Sequence, residues 1–309
     1  MATLLALTVF VAGCFAPSET VQVVATPTPS STAPRAPFPR TVVDASQVSL
    51  VLAAPPQRIV SLSPGATEAL FAVGAGPRVV AVDLFSDTPE AARSLTKVDY
   101  SRPNPEQVIA LRPDLVLMSG RQRDQVQRFR ELGLPVVYLG EPATLDAVLD
   151  NIALIAKATG DDEAAATLLR GLTQRLGAVR AKVADVTTGP RVFFELSPAL
   201  HTAGPNSFIG SMLSTLKAQN IATTATQFPQ LSAEALIAAD PQVVLLADVA
   251  SAKVDPASIG QRPGWAGVSA VRNGRVHEVD ADATNRPGPR IVDAVEAIAR
   301  ALYPERFPR

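Results

Sequence analysis

The sequence predicts an α/β fold in which two α/β lobes with parallel sheets are joined by one long helix. Three observations lead to this prediction. Short apolar runs of strand length alternate with helical patterns over residues 41–143, and the alternation resumes over residues 188–309. Between these parts, residues 144–187 carry almost only a helical pattern. We therefore expect an N-terminal lobe, a bridging helical segment and a C-terminal lobe with these boundaries.

The composition is that of a folded protein with a sizeable core. Hydrophobic residues make up 47 % of the 309 residues and charged residues 18 %, which excludes global disorder. The formal net charge is −1 and no basic block stands out, so nucleic acid is excluded as a partner. Cys14 is the single cysteine, which excludes an internal disulfide and a Cys-rich zinc site.

The N-terminal residues predict a lipid anchor. An apolar run at residues 4–11 and small residues precede Cys14, an arrangement that resembles a bacterial lipobox. Residues 1–14 are therefore expected to be a lipoprotein signal segment, with Cys14 as the lipidation site. No Lys or Arg precedes the run, which departs from the usual signal and would be explained by a truncated or misassigned start. The Pro/Thr/Ser-rich residues 15–40 then predict a flexible tether.

The first lobe begins with a predicted hairpin at residues 41–43 and 48–52, which are short β-branched runs. A buried strand at 58–62 then leads into a helix from Pro64 to about Val73, because proline favours the first helical position. The remaining elements follow the same alternation: strands at 79–82, 115–118 and 135–139, and helices at 105–111 and 122–132.

The bridging segment is broken once, at residues 159–161. Its second part, residues 162–183, has apolar positions at helical spacing and predicts a helix about 33 Å long. The second lobe follows with predicted strands at 191–196, 243–247 and 276–279 and a final helix at 289–302.

The two lobes contain a repeated segment. Residues 104–117 align without gaps with residues 232–245. Each copy has a capping residue, a glutamate at the second helical position, a proline after the helix and a buried strand. The pairing of Glu106 with Glu234 at matching positions indicates a duplicated lobe.

Three motifs carry a family resemblance. Residues 56–68, PQRIVSLSPGATE, resemble the opening strand and loop of the ABC-importer binding proteins for iron siderophores, haem and cobalamin. Residues 104–117 look like the next signature of that family, and residues 285–291, NRPGPRI, look like its last loop. The motifs keep the family's order, and the resemblance covers about residues 41–305.

The resemblance implies an extracytoplasmic receptor, expected to be a monomer and attached to the membrane through its lipid anchor only. Such a receptor captures a metal chelate and delivers it to a permease dimer with a cytoplasmic ATPase. No phosphate-binding loop of the G-x-x-x-x-G-K-[ST] type occurs, so ATP hydrolysis is assigned to the partner. A ferric siderophore or haem is the expected cargo, and cobalamin stays open as an alternative.

A ligand cleft is expected between the lobes, because ligands of open parallel sheets bind beyond the carboxyl ends of the strands. Aromatic side chains there would contact flat rings, and Arg or His side chains would bind anionic groups. The residues assigned to ligand binding are Phe85, Tyr100, Arg102, Arg121, His201, Phe208, Phe228 and Arg286. This mixture favours an anionic chelate, whereas the single tryptophan, Trp265, weakens the cobalamin alternative.

Tyr100 and His201 are also candidate metal contacts, because some relatives bind haem through Tyr or His. No second His or carboxylate stands at metal-ligand spacing, so we expect no metal site made by the protein and no cofactor.

The resemblance further implies that Glu106 and Glu234 dock onto arginines of the permease dimer. The alternative is that each carboxylate only stabilises the start of its helix.

An enzyme on a similar scaffold, a metal chelatase or a hydrolase, is the alternative from another class. No Gly-x-Ser-x-Gly elbow is present and only two histidines could serve as a base, so no catalytic residues are assigned and the chain is not expected to be an enzyme.

Overall fold

The computed structural model describes residues 37–249, 254 and 256–308. They belong to one folded unit, residues 33–309. The predicted signal segment, Cys14 and all but the end of the predicted tether lie outside the described residues.

The first lobe is built on a five-stranded parallel sheet. Its strand order is β5-β4-β3-β6-β7, so the order reverses between β3 and β6. At such a point the connections leave in opposite directions and a crevice opens at the carboxyl ends of the strands. The strands are β3 (Ile59–Ser61), β4 (Val79–Asp83), β5 (Thr96–Val98), β6 (Leu115–Met118) and β7 (Val136–Tyr138).

Helices cover both faces of this sheet, so its central strands are buried throughout and contain Leu, Val and Ile. The helices of the lobe are α1 (Pro64–Ala72), α2 (Pro105–Ala110) and α3 (Arg123–Glu131). Short 3-10 turns at residues 76–78, 90–92 and 120–122 connect some of these elements.

A hairpin precedes the lobe, as predicted. Its strands, β1 (Arg40–Val43) and β2 (Ser49–Leu52), pair antiparallel. Arg40 donates to the carbonyl of Lys157 at 2.7 Å and to Asp162 at 2.8 Å, and the Phe38 ring lies against Gly160. The chain therefore enters the fold at the junction between the two bridging helices.

The bridging segment forms two helices, α4 (Leu145–Thr159) and α5 (Asp162–Lys182). The Thr144 hydroxyl accepts from the Ala147 N–H at 3.2 Å, and Gly160 ends α4 in a left-handed conformation at φ 81°. The long helix predicted for this segment is α5, whose 21 residues correspond to about 31 Å. α4 packs against α1 of the first lobe.

The second lobe is built on a four-stranded parallel sheet with the order β11-β10-β8-β9. Its strands are β8 (Arg191–Glu195), β9 (Gln219–Asn220), β10 (Val243–Leu246) and β11 (Val276–Glu278). Its helices are α6 (Phe208–Thr215), α7 (Ala233–Ala239), α8 (Ser269–Arg272), α9 (Ala281–Asn285) and α10 (Ile291–Leu302). α5 packs against α10, so the bridge joins both lobes by side-chain packing.

The two copies of the repeated segment fold alike. A residue with positive φ follows each helix at the matching position of the repeat: Arg112, two residues after α2, at 47°, and Asp240, directly after α7, at 42°. An arginine from the preceding strand segment then binds a carbonyl at the end of each helix: Arg58 Nε donates to Leu111 at 3.0 Å, and Arg191 Nε donates to Ala239 at 3.0 Å. The neighbouring strands pair in the same register, Ile59 with Leu115 and Val192 with Val243.

The largest hydrophobic cluster runs through both lobes and both bridging helices. It contains residues as distant as Val42, Leu117, Leu172, Leu245 and Leu302. Two smaller clusters fill the other face of each sheet, around Phe129 in the first lobe and around Trp265 in the second. Over the described part of the chain, no helix combines the length and the apolar character needed to cross a bilayer.

Candidate functional site

A cleft of about 640 Å³ lies between the carboxyl ends of the two sheets, within the size range of small-molecule sites. Residues that follow strands line it from both lobes, as the parallel topology predicts. α4 contributes Asn151, Ile152 and Ile155 to the same cleft. Lining side chains of the first lobe include Ser63, Phe85, Tyr100, Ser101, Ser119, Arg121 and Glu141, and those of the second include Phe208, Phe228, Asp282, Thr284, Asn285 and Arg286.

The aromatic residues form two groups in the cleft. Phe85 and Tyr100 meet edge to face, with ring centroids 5.6 Å apart and an interplanar angle of 82°. Phe228 is 48 % exposed on the side of the second lobe, and Phe208 is half-buried at the start of α6. All four aromatic residues predicted to bind ligand thus line the cleft. Burial raises the pKa of Tyr100 further above neutral pH, so its hydroxyl keeps its proton and can donate a hydrogen bond.

Arg286 is neutralised by two carboxylates. It forms ion pairs with Asp87, which belongs to the first lobe, and with Asp282 at 2.8 Å. Partial burial acts to raise the pKa of Asp87, but the Arg286 guanidinium outweighs it and holds that pKa below its usual value. Arg286 therefore bridges the two lobes and offers little uncompensated positive charge to a ligand.

Arg121 is the other arginine of the cleft, and it is exposed. Glu141 lines the same wall, with its carboxylate directly over Gly120, where a Cβ would lie 1.9 Å from Oε2. The described lining thus contains two arginines, Arg121 and Arg286, and two carboxylates, Glu141 and Asp282, while Asp87 forms a further ion pair with Arg286. The cleft carries no surplus of positive charge.

Uncharged polar groups supply most of the remaining hydrogen-bonding capacity. Hydroxyl groups line the cleft at Ser63, Ser101, Ser119 and Thr284, and amide groups at Asn151 and Asn285. Asn151 donates to the carbonyl of Gly140 at 3.1 Å, which ties α4 to the loop after β7.

Two predicted ligand contacts are not brought to the cleft. Arg102 is exposed, and its backbone N–H donates to Asp99 at 2.6 Å in a turn beside the site. His201 is exposed as well, with Nδ1 2.9 Å from the Ser197 hydroxyl. Both residues follow strand ends in sequence, as expected, but neither is among the residues that line the cleft.

The lobes touch at the floor of the cleft. Gly65 lies so close to the last loop that a Cβ there would be 2.1 Å from the carbonyl oxygen of Pro287. Beside this contact the Arg290 guanidinium donates to both carboxylate oxygens of Glu68, at 2.9 and 2.7 Å. Glu68 is buried, so this ion pair crosses the lobe boundary largely out of water.

Sequence reasoning missed the Glu68–Arg290 pair and the contribution of α4. Glu68 ends the first family motif and Arg290 lies within the last, so a carboxylate in one motif and a guanidinium in the other were the available signal. The α4 residues gave no signal, because Ile152 and Ile155 are indistinguishable from core positions of any amphipathic helix.

The described residues hold no group of three or more His, Cys, Asp or Glu side chains that could bind a metal ion. Glu106 and Glu234 lie outside the cleft, exposed at the second positions of α2 and α7.

Comparisons with known proteins place the chain among transport receptors. The family model described as periplasmic binding protein matches residues 59–283. An uncharacterised ABC transporter substrate-binding lipoprotein of Bacillus subtilis (strain 168) is 31 % identical over 278 residues, covering 87 % of each chain. A cobalamin-binding protein of Halobacterium salinarum is 34 % identical over 281 residues, covering 86 % of this chain and 74 % of its own.

A solved structure agrees with the fold. The periplasmic haem-binding protein of Roseiflexus sp. RS-1 superposes with a TM-score of 0.71 at 28 % identity, covering 81 % of this chain and 99 % of its own. The cleft between two parallel sheets, the family match and these relatives together identify the chain as a member of the periplasmic binding protein family.

Proposed function

We propose that this chain is the substrate-binding protein of an ABC importer and that its cargo is a corrinoid of the cobalamin type. The observation that carries the choice of cargo is the charge balance of the cleft, in which each lining arginine is matched by a carboxylate. Cyanocobalamin is electrically neutral overall, and its rim carries amide groups that match the hydroxyl and amide side chains of the lining. The cobalamin-binding relative of Halobacterium salinarum supports this cargo.

This proposal changes the order of cargoes expected from the sequence. The sequence favours an anionic ferric chelate only if Arg102, Arg121, His201 and Arg286 all lie in the cleft. Two of them lie elsewhere and Arg286 is ion-paired, so the electrostatic argument for a siderophore is weaker.

Haem is the second candidate, favoured by one observation. The Tyr100 hydroxyl group belongs to a half-buried residue of the lining beside Phe85, and a phenol in that position can approach the iron of a flat macrocycle. The haem-binding relative of Roseiflexus supports this reading.

The protein acts outside the cytoplasm in this proposal and binds its cargo without turnover. Cleavage directly before Cys14 removes the signal, Cys14 becomes the lipidated N-terminal residue, and residues 15–40 tether the folded part to the membrane. Glu106 and Glu234 dock onto the permease dimer, and the chain works as a monomer.

Calorimetry on the purified chain tests the cargo. Cyanocobalamin, haemin and a ferric tricatecholate are titrated separately, and each ligand is recovered afterwards to check that it is unchanged. Saturable one-to-one binding of cyanocobalamin, at least tenfold tighter than the other two, is expected. A tighter complex with haemin, with a Soret shift that Tyr100→Phe removes, would transfer the proposal to haem. A folded chain that binds none of the three would sink the metal-chelate function.

A further inference from the structure

We propose that each lobe meets the permease with a docking patch of two side chains, a glutamate and an isoleucine one helical turn apart. The patches are Glu106 with Ile109 on α2 and Glu234 with Ile237 on α7. This inference rests on the proposed importer function and adds an apolar contact to each docking carboxylate.

The exposure of the two isoleucines is the first observation. Of all isoleucines in the described residues, only Ile109 and Ile237 are exposed, at 41 % and 36 % of the residue surface. They occupy the same position of the repeated segment, five residues after its capping residue. A single exposed apolar residue needs no explanation, but the same residue at equivalent sites of two otherwise diverged lobes indicates a shared task.

The geometry of the short helices places each glutamate beside its isoleucine. Residues three apart lie on the same face of a helix, so each carboxylate lies beside the branched side chain. Ile237 also packs against Gly264 and exposes the remainder of its surface. The residue before each isoleucine, Val108 or Leu236, is fully buried and fixes the rotation of its helix. The arginine clamps at Leu111 and Ala239 hold the ends of α2 and α7, so both patches are rigid before any partner arrives.

The negative charge of the patches indicates which kind of partner binds them. Neither Glu106 nor Glu234 forms an ion pair with another residue of the described chain, so each carboxylate is available to a cationic side chain. The two equivalent patches match a partner that has two equivalent sites, each with an Arg or Lys next to an apolar socket. A twofold permease dimer has that symmetry. An anionic lipid surface would repel both carboxylates.

The two members of a patch have separable roles. Exposed charges chiefly raise the rate of encounter and lose their effect in salt, whereas a buried apolar contact chiefly slows dissociation and does not depend on salt. The glutamates therefore orient the receptor, and the isoleucines hold it.

Binding kinetics of the full chain on the permease–ATPase complex of the same organism, reconstituted in lipid nanodiscs, test this division. Ile109→Ala and Ile237→Ala are each expected to speed dissociation about fivefold to tenfold, equally at low and high salt. Glu106→Gln and Glu234→Gln are expected to slow association, with a difference that vanishes at high salt. Leu132→Ala is the matched control, because Leu132 is also exposed, at 46 %, and lies outside both patches.

The outcomes separate this inference from the proposed function. If the unaltered chain binds no permease complex, the importer function fails and the patches fail with it. If it binds, and the isoleucine variants dissociate at the unaltered rate, the patches are wrong and the importer function stands. An effect in one lobe only, an equal effect of Leu132→Ala, or isoleucine-dependent binding to nanodiscs without protein would each overturn the patches. Unchanged ligand binding by calorimetry verifies that every variant is folded.

Discussion

Leu84 and Phe85 are neighbours after β4, and each exposes 54 % of its side chain. Only Phe85 lines the cleft, where its ring meets Tyr100. Equal exposure of Leu84 and Phe85 therefore does not imply an equal role in the cleft. Phe85 offers an apolar wall to a ligand, and Leu84 offers an internal control for it.

Phe85→Ala is expected to weaken cyanocobalamin binding about tenfold, because the ligand loses a stacking or edge contact worth about 1 kcal/mol together with buried apolar area. Calorimetry measures the change, and urea unfolding is expected to be almost unaltered. Leu84→Ala should leave the affinity as it is. Equal losses in both variants would mean that Phe85 acts through the loop and not through the cleft.

The Asp87–Arg286 pair sets the charge that a ligand meets. Asp87→Asn removes one of the two carboxylates on Arg286, so the cleft gains positive character. We expect haemin and a ferric tricatecholate to bind about fivefold more tightly and cyanocobalamin to change much less, since a partly exposed charge contributes about 1 kcal/mol at most. Parallel titrations measure the ratio, and Glu90→Gln, an exposed change outside the cleft, is the control. A uniform change for all three ligands would contradict the electrostatic argument.

At the scale of elements, Asp44 attaches the hairpin β1–β2 to the first lobe. Its carboxylate pairs with Arg130 and accepts from the backbone N–H groups of Tyr138 at 2.9 Å and Ser46 at 2.8 Å. Burial alone would raise the pKa of Asp44, but hydrogen bonds from the Ser46 hydroxyl, at 2.6 Å, and from the backbone N–H groups of Tyr138, Ser46 and Val48 together lower it below the usual value.

This lowered pKa predicts how stability depends on pH. A carboxyl group with a depressed pKa in the folded state stabilises the fold fully above its unfolded pKa, about 3.9, and the contribution is lost as the pH falls through the folded value. Asp44→Asn is therefore expected to lower the free energy of unfolding by about 2 kcal/mol at pH 7, with the difference shrinking towards pH 3. Urea unfolding across this range measures it, with Asp150→Asn on the exposed face of α4 as control. A difference that stays constant with pH would assign the effect to packing.

Elements with a strong periodic pattern were predicted well from the sequence, and the weak ones were not. The long runs gave α5, α10 and the buried strands β3, β6 and β10 within a few residues. The pattern missed β5, where Thr96 and Lys97 are polar, and β9, which has two residues, because their pairing comes from neighbouring strands and not from their own composition. The repeated segment was found because its capping residue, proline and strand recur at identical spacing.

The position of the cleft follows from the predicted topology, whereas the residues that line it follow only in part. Topology alone places the cleft at the carboxyl ends of the strands, and all four aromatic candidates lie there. The position of a loop side chain depends on local hydrogen bonds. Arg102 lies in a turn closed by Asp99, and the His201 ring contacts the Ser197 hydroxyl. Such local bonds carry no periodicity, so the sequence could not exclude these two residues.

At the scale of the whole molecule, the contact between Gly65 and the last loop fixes the distance between the lobes. Gly65→Ala would place a methyl group 2.1 Å from the Pro287 carbonyl oxygen, so the lobes must separate. Cyanocobalamin binding is expected to weaken about tenfold, since overpacking costs about 1–3 kcal/mol. Gly171→Ala is the control, because Gly171 lies in α5 with nothing near its absent Cβ. That variant should keep its affinity and gain about 0.5–1 kcal/mol of stability. Normal affinity in Gly65→Ala would show that the cleft tolerates a wider spacing.

The chain enters the fold at the junction of α4 and α5, where Arg40 binds the Lys157 carbonyl and Asp162 and where Phe38 covers Gly160. A force applied at the N-terminal end of the described chain reaches this junction first. The helices α4 and α5, which pack against both lobes, therefore bear this force before the loops that line the cleft do. Tension from a membrane anchor would therefore load the end of α4 at Lys157 and Gly160, beyond the residues with which that helix lines the cleft.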